Sequence, residues 1–164
     1  MQIVMPFEGH RDIVRPEWID HNGHMNMGYY MVVFDLATDA FFALCGLSDA
    51  HREREQITTF ALEGHINYLA EVREGDPLSF RTWLVDFDEK RIHYFHEMLH
   101  AEEGYRASTN ELMSLHVSRR TRRAAPMHAD LQERLKAIQA AQLASGLDLP
   151  AEIGRSIGLK RRAG

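Results

Sequence analysis

The chain has 164 residues, 45% of them hydrophobic and 26% charged, enough for one well-filled core and short for two. Its net charge of −5 argues against a general nucleic-acid binder, because a phosphate backbone selects a basic face. A single cysteine, Cys45, excludes an internal disulfide and points to a reducing compartment. It falls in an apolar helical period with no cationic neighbour to activate a thiolate, so it is expected in the core and not as a nucleophile. Met1 to Glu8 lacks the basic start and apolar run of a signal peptide. No stretch reads as the ~20 apolar residues of a membrane span. A cytoplasmic protein is expected.

In chain order, residues 11–18 are predicted as a short first strand, with Ile13 and Val14 inside it and Pro16 confining it to an edge or an end. A short loop at Asp20 comes next, then a long helix. Tyr30, Val33, Phe34, Ala37, Phe41 and Leu44 recur at three- and four-residue steps, Asp35, Thr38 and Asp39 form a more polar side, and Gly46 is a plausible C-cap. The polar run from Ser48 to Gln56 reads as a solvated connection. From Ile57 the period becomes two. Segments near 57–72, 78–87, 91–101 and 105–118 are rich in β-branched and aromatic residues. Turn-like separators at 74–77, 88–90 and 102–104 predict an antiparallel meander. One helix before four such strands is the order of an α+β domain with a sheet wrapped around a central helix. Pro126 is predicted to open a second helix with Leu131, Leu135, Ile138 and Leu143 on one side and Gly146 as its stop. The tail from Leu147 has no clear element.

The stretch from Trp18 to Tyr30, WIDHNGHMNMGYY, is the most informative. It sets one carboxylate, Asp20, on a loop just before a helix N-terminus, whose free N–H groups stabilise negative charge. A carbonyl oxygen held there gains charge when its carbon is attacked, and pre-oriented donors at such a place are a large catalytic effect. The segment reads as an acyl-transfer site. A loop or capping role is the ordinary alternative for Asp20.

Two motifs connect this chain with a family. Asp20, Gly23, His24 and Asn26 form D-x-x-G-H-x-N. Tyr68 to Leu78 reads Y-L-x-E-V-x-x-G-D-x-L. Over roughly residues 10–120 the chain resembles the hotdog-fold acyl-CoA thioesterases of the 4-hydroxybenzoyl-CoA thioesterase type. With the C-terminal G-R-x-I-G at Gly154, it looks most like the branch that includes betainyl-CoA thioesterases. The resemblance implies a hotdog domain over 1–125, with the helix and tail of 126–164 packed on it. It implies an acyl-CoA substrate, no cofactor, and a homodimer or homotetramer with sites at the interface. Asp20 is then the nucleophile or the general base. The carbonyl-polarising backbone N–H falls at Met27, with Gly28 close behind. Gly23 lets the backbone approach the substrate, His24 orients Asp20 or bonds the carbonyl, and Asn26 caps the helix.

Further candidates carry bland alternatives beside them. Trp18, Tyr29 and Tyr30 would line an acyl pocket, with faces suited to a quaternary ammonium, or belong to the core. Glu63, His65 and Asn67 alternate onto one strand face, opposite Leu62, Gly64, Ile66 and Tyr68. That is either the strand's solvent side or a border of the active site, with Glu63 a second carboxylate acting across a dimer. Arg119 and Arg120, with Arg122 and Arg123, would hold coenzyme A phosphates or form a solvated linker. Ten histidines occur without the spacing of a metal site, and none is expected. A hotdog dehydratase and a non-catalytic acyl-CoA-binding protein are the competing functions.

Overall fold

The structure is a computed structural model and describes residues 3–158. β1 (Arg11–Ile13) leads into a single 3-10 turn at Pro16–Trp18. The central helix α1 (Met27–Cys45) follows, then a short helix α2 (Asp49–Glu55). Four long strands come next: β2 (Ile57–Tyr68), β3 (Pro77–Phe87), β4 (Arg91–His100) and β5 (Arg106–Ser118). Helix α3 (Ala129–Ala144) is the last regular element among the described residues. The strands form one antiparallel sheet in the order β1-β3-β4-β5-β2. It curls around α1 in the hotdog arrangement that the motifs imply.

Four expectations need correction. The meander is three strands long, not four, because β2 pairs with β5 at the far edge and not with β3. The link of residues 69–76 has to cross the open end of the sheet, and on the way Val72 O accepts the Met25 N–H at 2.9 Å. The polar run after Gly46 is a helix, not a plain connection: Ser48 caps it by accepting the His51 N–H at 3.2 Å, which an unbiased polar composition hides. The last helix starts at Ala129, three residues beyond Pro126. Its buried stripe is Leu131, Leu135, Ile138 and Gln142, while Leu143 is 78% exposed. The fourth concerns hydropathy. By length and composition α1 is apolar enough to cross a membrane.

That helix is instead a core element. Tyr30, Val33, Phe34, Ala37, Phe41 and Phe42 are buried beneath the sheet, and full burial of one such phenylalanine contributes roughly 2–3 kcal/mol. Asn26 starts the helix by accepting the Gly28 N–H at 2.9 Å, and Gly46 stops it in the left-handed region, φ 97°. Its outward residues Met27, Met31, Val32 and Leu36 are also apolar and exposed. A helix apolar on both sides has a second surface still to cover.

Gln142 has a specific task. The Gln142 side chain takes both backbone groups of Leu84, accepting its N–H at 2.9 Å and donating to its carbonyl at 2.6 Å, on the edge of β3 where Thr82, two residues earlier, pairs with Phe7. A leucine there would continue the apolar stripe and leave two buried backbone groups unpaired.

Candidate active site

The Asp20 loop is pinned at both ends. Ile19 and Met25 pair as an isolated bridge. Asp20 N–H donates to His24 O at 3.1 Å, Gly23 N–H donates to Asp20 O at 3.0 Å, and Asn26 N–H donates to Trp18 O at 2.9 Å. Gly23 sits at φ 80°, which a side chain would strain. Asp20 Oδ1 accepts the Asn22 N–H at 2.8 Å. This bond, with the charges of His24 and His21 adding to it, holds the carboxyl below the ordinary aspartate range. The carboxylate is therefore in its anionic form at neutral pH.

Asp20, His24, Met25, Asn26, Met27, Tyr30, Tyr68 and the segment Leu69–Glu71 line one cavity of about 450 Å³. Five of the residues singled out in the sequence, Asp20, His24, Asn26, Met27 and Tyr30, meet in it. The first-turn amides divide cleanly. Gly28 N–H is taken by the Asn26 side chain, so it is not a free donor for substrate, and Gly28 lies outside this cavity. Met27 N–H has no partner among the described residues, as expected of a first-turn donor at the positive end of a helix dipole.

Other expectations are revised. His24 does not bond Asp20; its Nδ1 lies 3.4 Å from Met25 O, and Asn22 N–H orients the carboxylate instead. Trp18 is buried, with Tyr29 stacked on it at 5.9 Å and the Arg15 guanidinium over the ring at 4.8 Å. Neither Trp18 nor Tyr29 reaches the cavity; Tyr30 does. Glu63 and His65 face the outer side of the sheet. There they share a second cavity with His93, Glu111 and the segment Gly154–Ile157. Glu111 accepts the Gly154 N–H at 2.8 Å and bonds His93 Nε2 at 2.8 Å. That glycine amide already serves a carboxylate, and the G-R-x-I-G segment fastens the tail to the sheet. Leu62 is the extra residue of a bulge in β2 and is exposed, not part of the inward face.

Arg119 and Arg120 follow the end of β5, beside the start of β2. Arg119 pairs with Glu53 at 2.6 Å, and Arg122 lies over Phe60 at 5.0 Å. At ~3.3 Å per residue the twelve-residue β2 separates them from Tyr68 by roughly 35 Å within one chain. The sequence reading gave no site role to Tyr68 or Glu71, which line the cavity, although both lie in the Y-L-x-E motif. The described residues contain no group of three His, Cys, Asp or Glu placed to hold a metal ion.

Comparison with known proteins identifies the family. Residues 14–135 match the family model described as the thioesterase-like superfamily. A betainyl-CoA thioesterase of Pseudomonas aeruginosa is 40% identical over 146 residues, covering 89% of this chain and 91% of that one. An L-carnitine dehydrogenase/betainyl-CoA thioesterase of Rhizobium meliloti is 34% identical over 148 residues, covering 90% of this chain and 29% of that longer protein. A hypothetical protein of Staphylococcus aureus, solved in complex with CoA, superposes with a TM-score of 0.87 at 30% identity, covering 98% of this chain and 99% of the other. The chain belongs to the thioesterase-like superfamily and is an enzyme that hydrolyses acyl-CoA thioesters.

Proposed function

We propose that the enzyme hydrolyses betainyl-CoA, with Asp20 as the reacting carboxylate and the Met27 amide as the carbonyl donor. The observation that carries this mechanism is one cavity holding both an anionic carboxylate and an unpartnered helix N-terminal amide. The thioester oxygen accepts the Met27 N–H, which strengthens as charge develops on that oxygen. Asp20 then attacks the carbonyl carbon, or takes a proton from the water that does so. The C–S bond breaks and coenzyme A leaves as a thiolate, a leaving group good enough to need no acid. If Asp20 attacks, a mixed anhydride forms and one water then cleaves it to the free acid, regenerating the carboxylate. Both routes need the anionic carboxylate. The betainyl group is supported by the names of the two relatives. Thiol release from short, branched, aromatic and betainyl CoA esters tests the reading. Betainyl-CoA is expected to give the highest kcat/KM, and a higher value for an uncharged acyl group would refute it.

We also infer that two copies pair along β2. This strand is an unpaired edge twelve residues long, with Phe60 and Leu62 exposed on it, and α1 offers its second apolar side next to it. A long open edge beside apolar surface is a template for another strand. Antiparallel pairing of two β2 edges about a twofold axis would carry the Arg119–Arg120 end of one copy toward the Tyr68 end of the other. The roughly 35 Å gap within one chain would then be bridged, and the arginines could meet coenzyme A phosphates. Light scattering should give twice the 18.9 kDa chain mass. A stable, fully active monomer at micromolar concentration would overturn the pairing.

A further inference from the structure

The acyl group of betainyl-CoA is short. Two single bonds separate its carbonyl carbon from the quaternary nitrogen, so whatever recognises the cation has to stand beside the reacting carbon. A second opening, between α1 and strands β2 and β5, contains Asp35, Asp39, Phe42 and Tyr94. Asp35 lies eight residues past Met27, about 12 Å along the helix. With the carbonyl on the Met27 amide, the ammonium does not extend that far. Its neighbours are the walls of the Asp20 cavity.

Among those walls Tyr68 stands out. Its hydroxyl donates to Met27 O at 3.3 Å, which ties the ring to the helix turn that carries the carbonyl donor. The ring packs edge-to-face with Tyr30 at 5.2 Å. Tyr30 is only 4% exposed, its hydroxyl donating to Ala70 O at 3.4 Å, while Tyr68 remains 45% exposed. Tyr68 is thus the cavity's aromatic ring with open surface, held by a buried ring and a hydrogen bond. Glu71, the other carboxylate of the lining, is paired with Arg73 at 2.5 Å, so its charge is already partly answered.

Resting on the betainyl reading, we propose that Tyr68 is the specificity-determining residue of this enzyme: its ring face binds the trimethylammonium group of the substrate. A quaternary ammonium donates no hydrogen bond, and its weakly hydrated methyl shell suits an aromatic face. The same surface would hold a neutral tert-butyl group of equal shape with less affinity.

The test compares betainyl-CoA with 3,3-dimethylbutanoyl-CoA, in which carbon replaces the charged nitrogen, in wild type, Tyr68→Phe and Tyr68→Leu. The readout is the ratio of kcat/KM for the two esters, so that their difference in intrinsic reactivity cancels between variants. Tyr68→Phe keeps the ring and loses the hydroxyl bond to Met27, and its ratio should stay within about twofold of wild type. Tyr68→Leu keeps apolar bulk without a ring, and its ratio should fall roughly tenfold, the scale of a desolvated cation–aromatic contact. An unchanged ratio in Tyr68→Leu would overturn the role of Tyr68. If wild type already shows no preference for betainyl-CoA beyond the alkaline hydrolysis rates of the two esters, the substrate reading itself fails, and the role of Tyr68 falls with it.

Discussion

Replacing Asp20 by Asn should lower kcat at least ~10²-fold, the usual scale for a positioned acid–base group, and leave the fold and the Michaelis constant nearly intact. The asparagine oxygen can still accept the Asn22 N–H that shapes the loop. The backbone pairs closing the loop, Asp20 to His24 and Gly23 to Asp20, do not involve the side chain. What disappears is the charge that attacks or takes the proton. An interaction used mainly in the transition state shows this loss in kcat with little change in binding. Near-normal thiol release by Asp20→Asn would remove Asp20 from the mechanism and direct attention to Glu71, the other carboxylate lining the cavity. The pH profile gives a second check. Asp20 is held below the ordinary aspartate range, so the active anion persists on acidification. The kcat/KM of the wild type should stay level through pH 5, in protein that remains folded, and decline only in stronger acid. A loss of kcat/KM centred near pH 6 would argue for a different group.

The second large effect is expected in stability. His96 is fully buried, between Phe34 stacked at 5.9 Å and Tyr94 edge-on at 5.2 Å. Thr38 spends its hydroxyl proton on Phe34 O at 3.0 Å, so His96 Nε2–H donates to Thr38 Oγ1 at 2.9 Å, and Nδ1 accepts from Thr82 Oγ1 at 2.8 Å. Both nitrogens are satisfied in the neutral ring alone. Burial pushes the pKa down from 6.5 to about 3, with the charge of His10 adding to it. The unfolded chain binds a proton near pH 6.5 that the folded state refuses. This contribution is therefore fully present above pH 6.5 and is lost as pH falls toward 3. At 1.36 kcal/mol per pH unit, about 2 kcal/mol should be lost between pH 6.5 and 5. Burial lowers His10 and His116 as well, so they act with the same sign. Denaturant unfolding at pH 7.5 and pH 5 measures the difference. In His96→Gln the protein should be less stable at both values, with a clearly smaller drop between them. An equal drop in the variant would mean that His96 is not the buried proton acceptor described.

How much of this was readable in advance follows from how local each feature is. The acidic loop, the glycine at positive φ, the asparagine cap and the helix start are made by residues within ten positions of one another. Short-range hydrogen bonds specify them, so WIDHNGHMN announced the Asp20 loop before a helix start, while the Met27 amide was named through the family resemblance. The apolar period of α1 and the alternation of the long strands were legible for the same reason. Both are repeats along the chain, and their burial against each other makes the core.

The rest depended on contacts between distant segments. Alternation says that β2 is a strand but not that its partner is β5, because pairing is chosen by the whole sheet and by where the 69–76 link can cross. That crossing brings Tyr68 onto the first turn of α1, forty-one positions away. The packing of Trp18 took Tyr29 out of the pocket, although the two aromatics read alike in sequence. Gln142 resembles any polar helix residue until the fold sets it against the two backbone groups of Leu84 at the edge of β3. Sequence alone determined the position of the acidic loop before the helix and the class of the fold. Tertiary structure decided which side chains share a cavity, because burial and long-range pairing belong to the assembled sheet and not to any one segment.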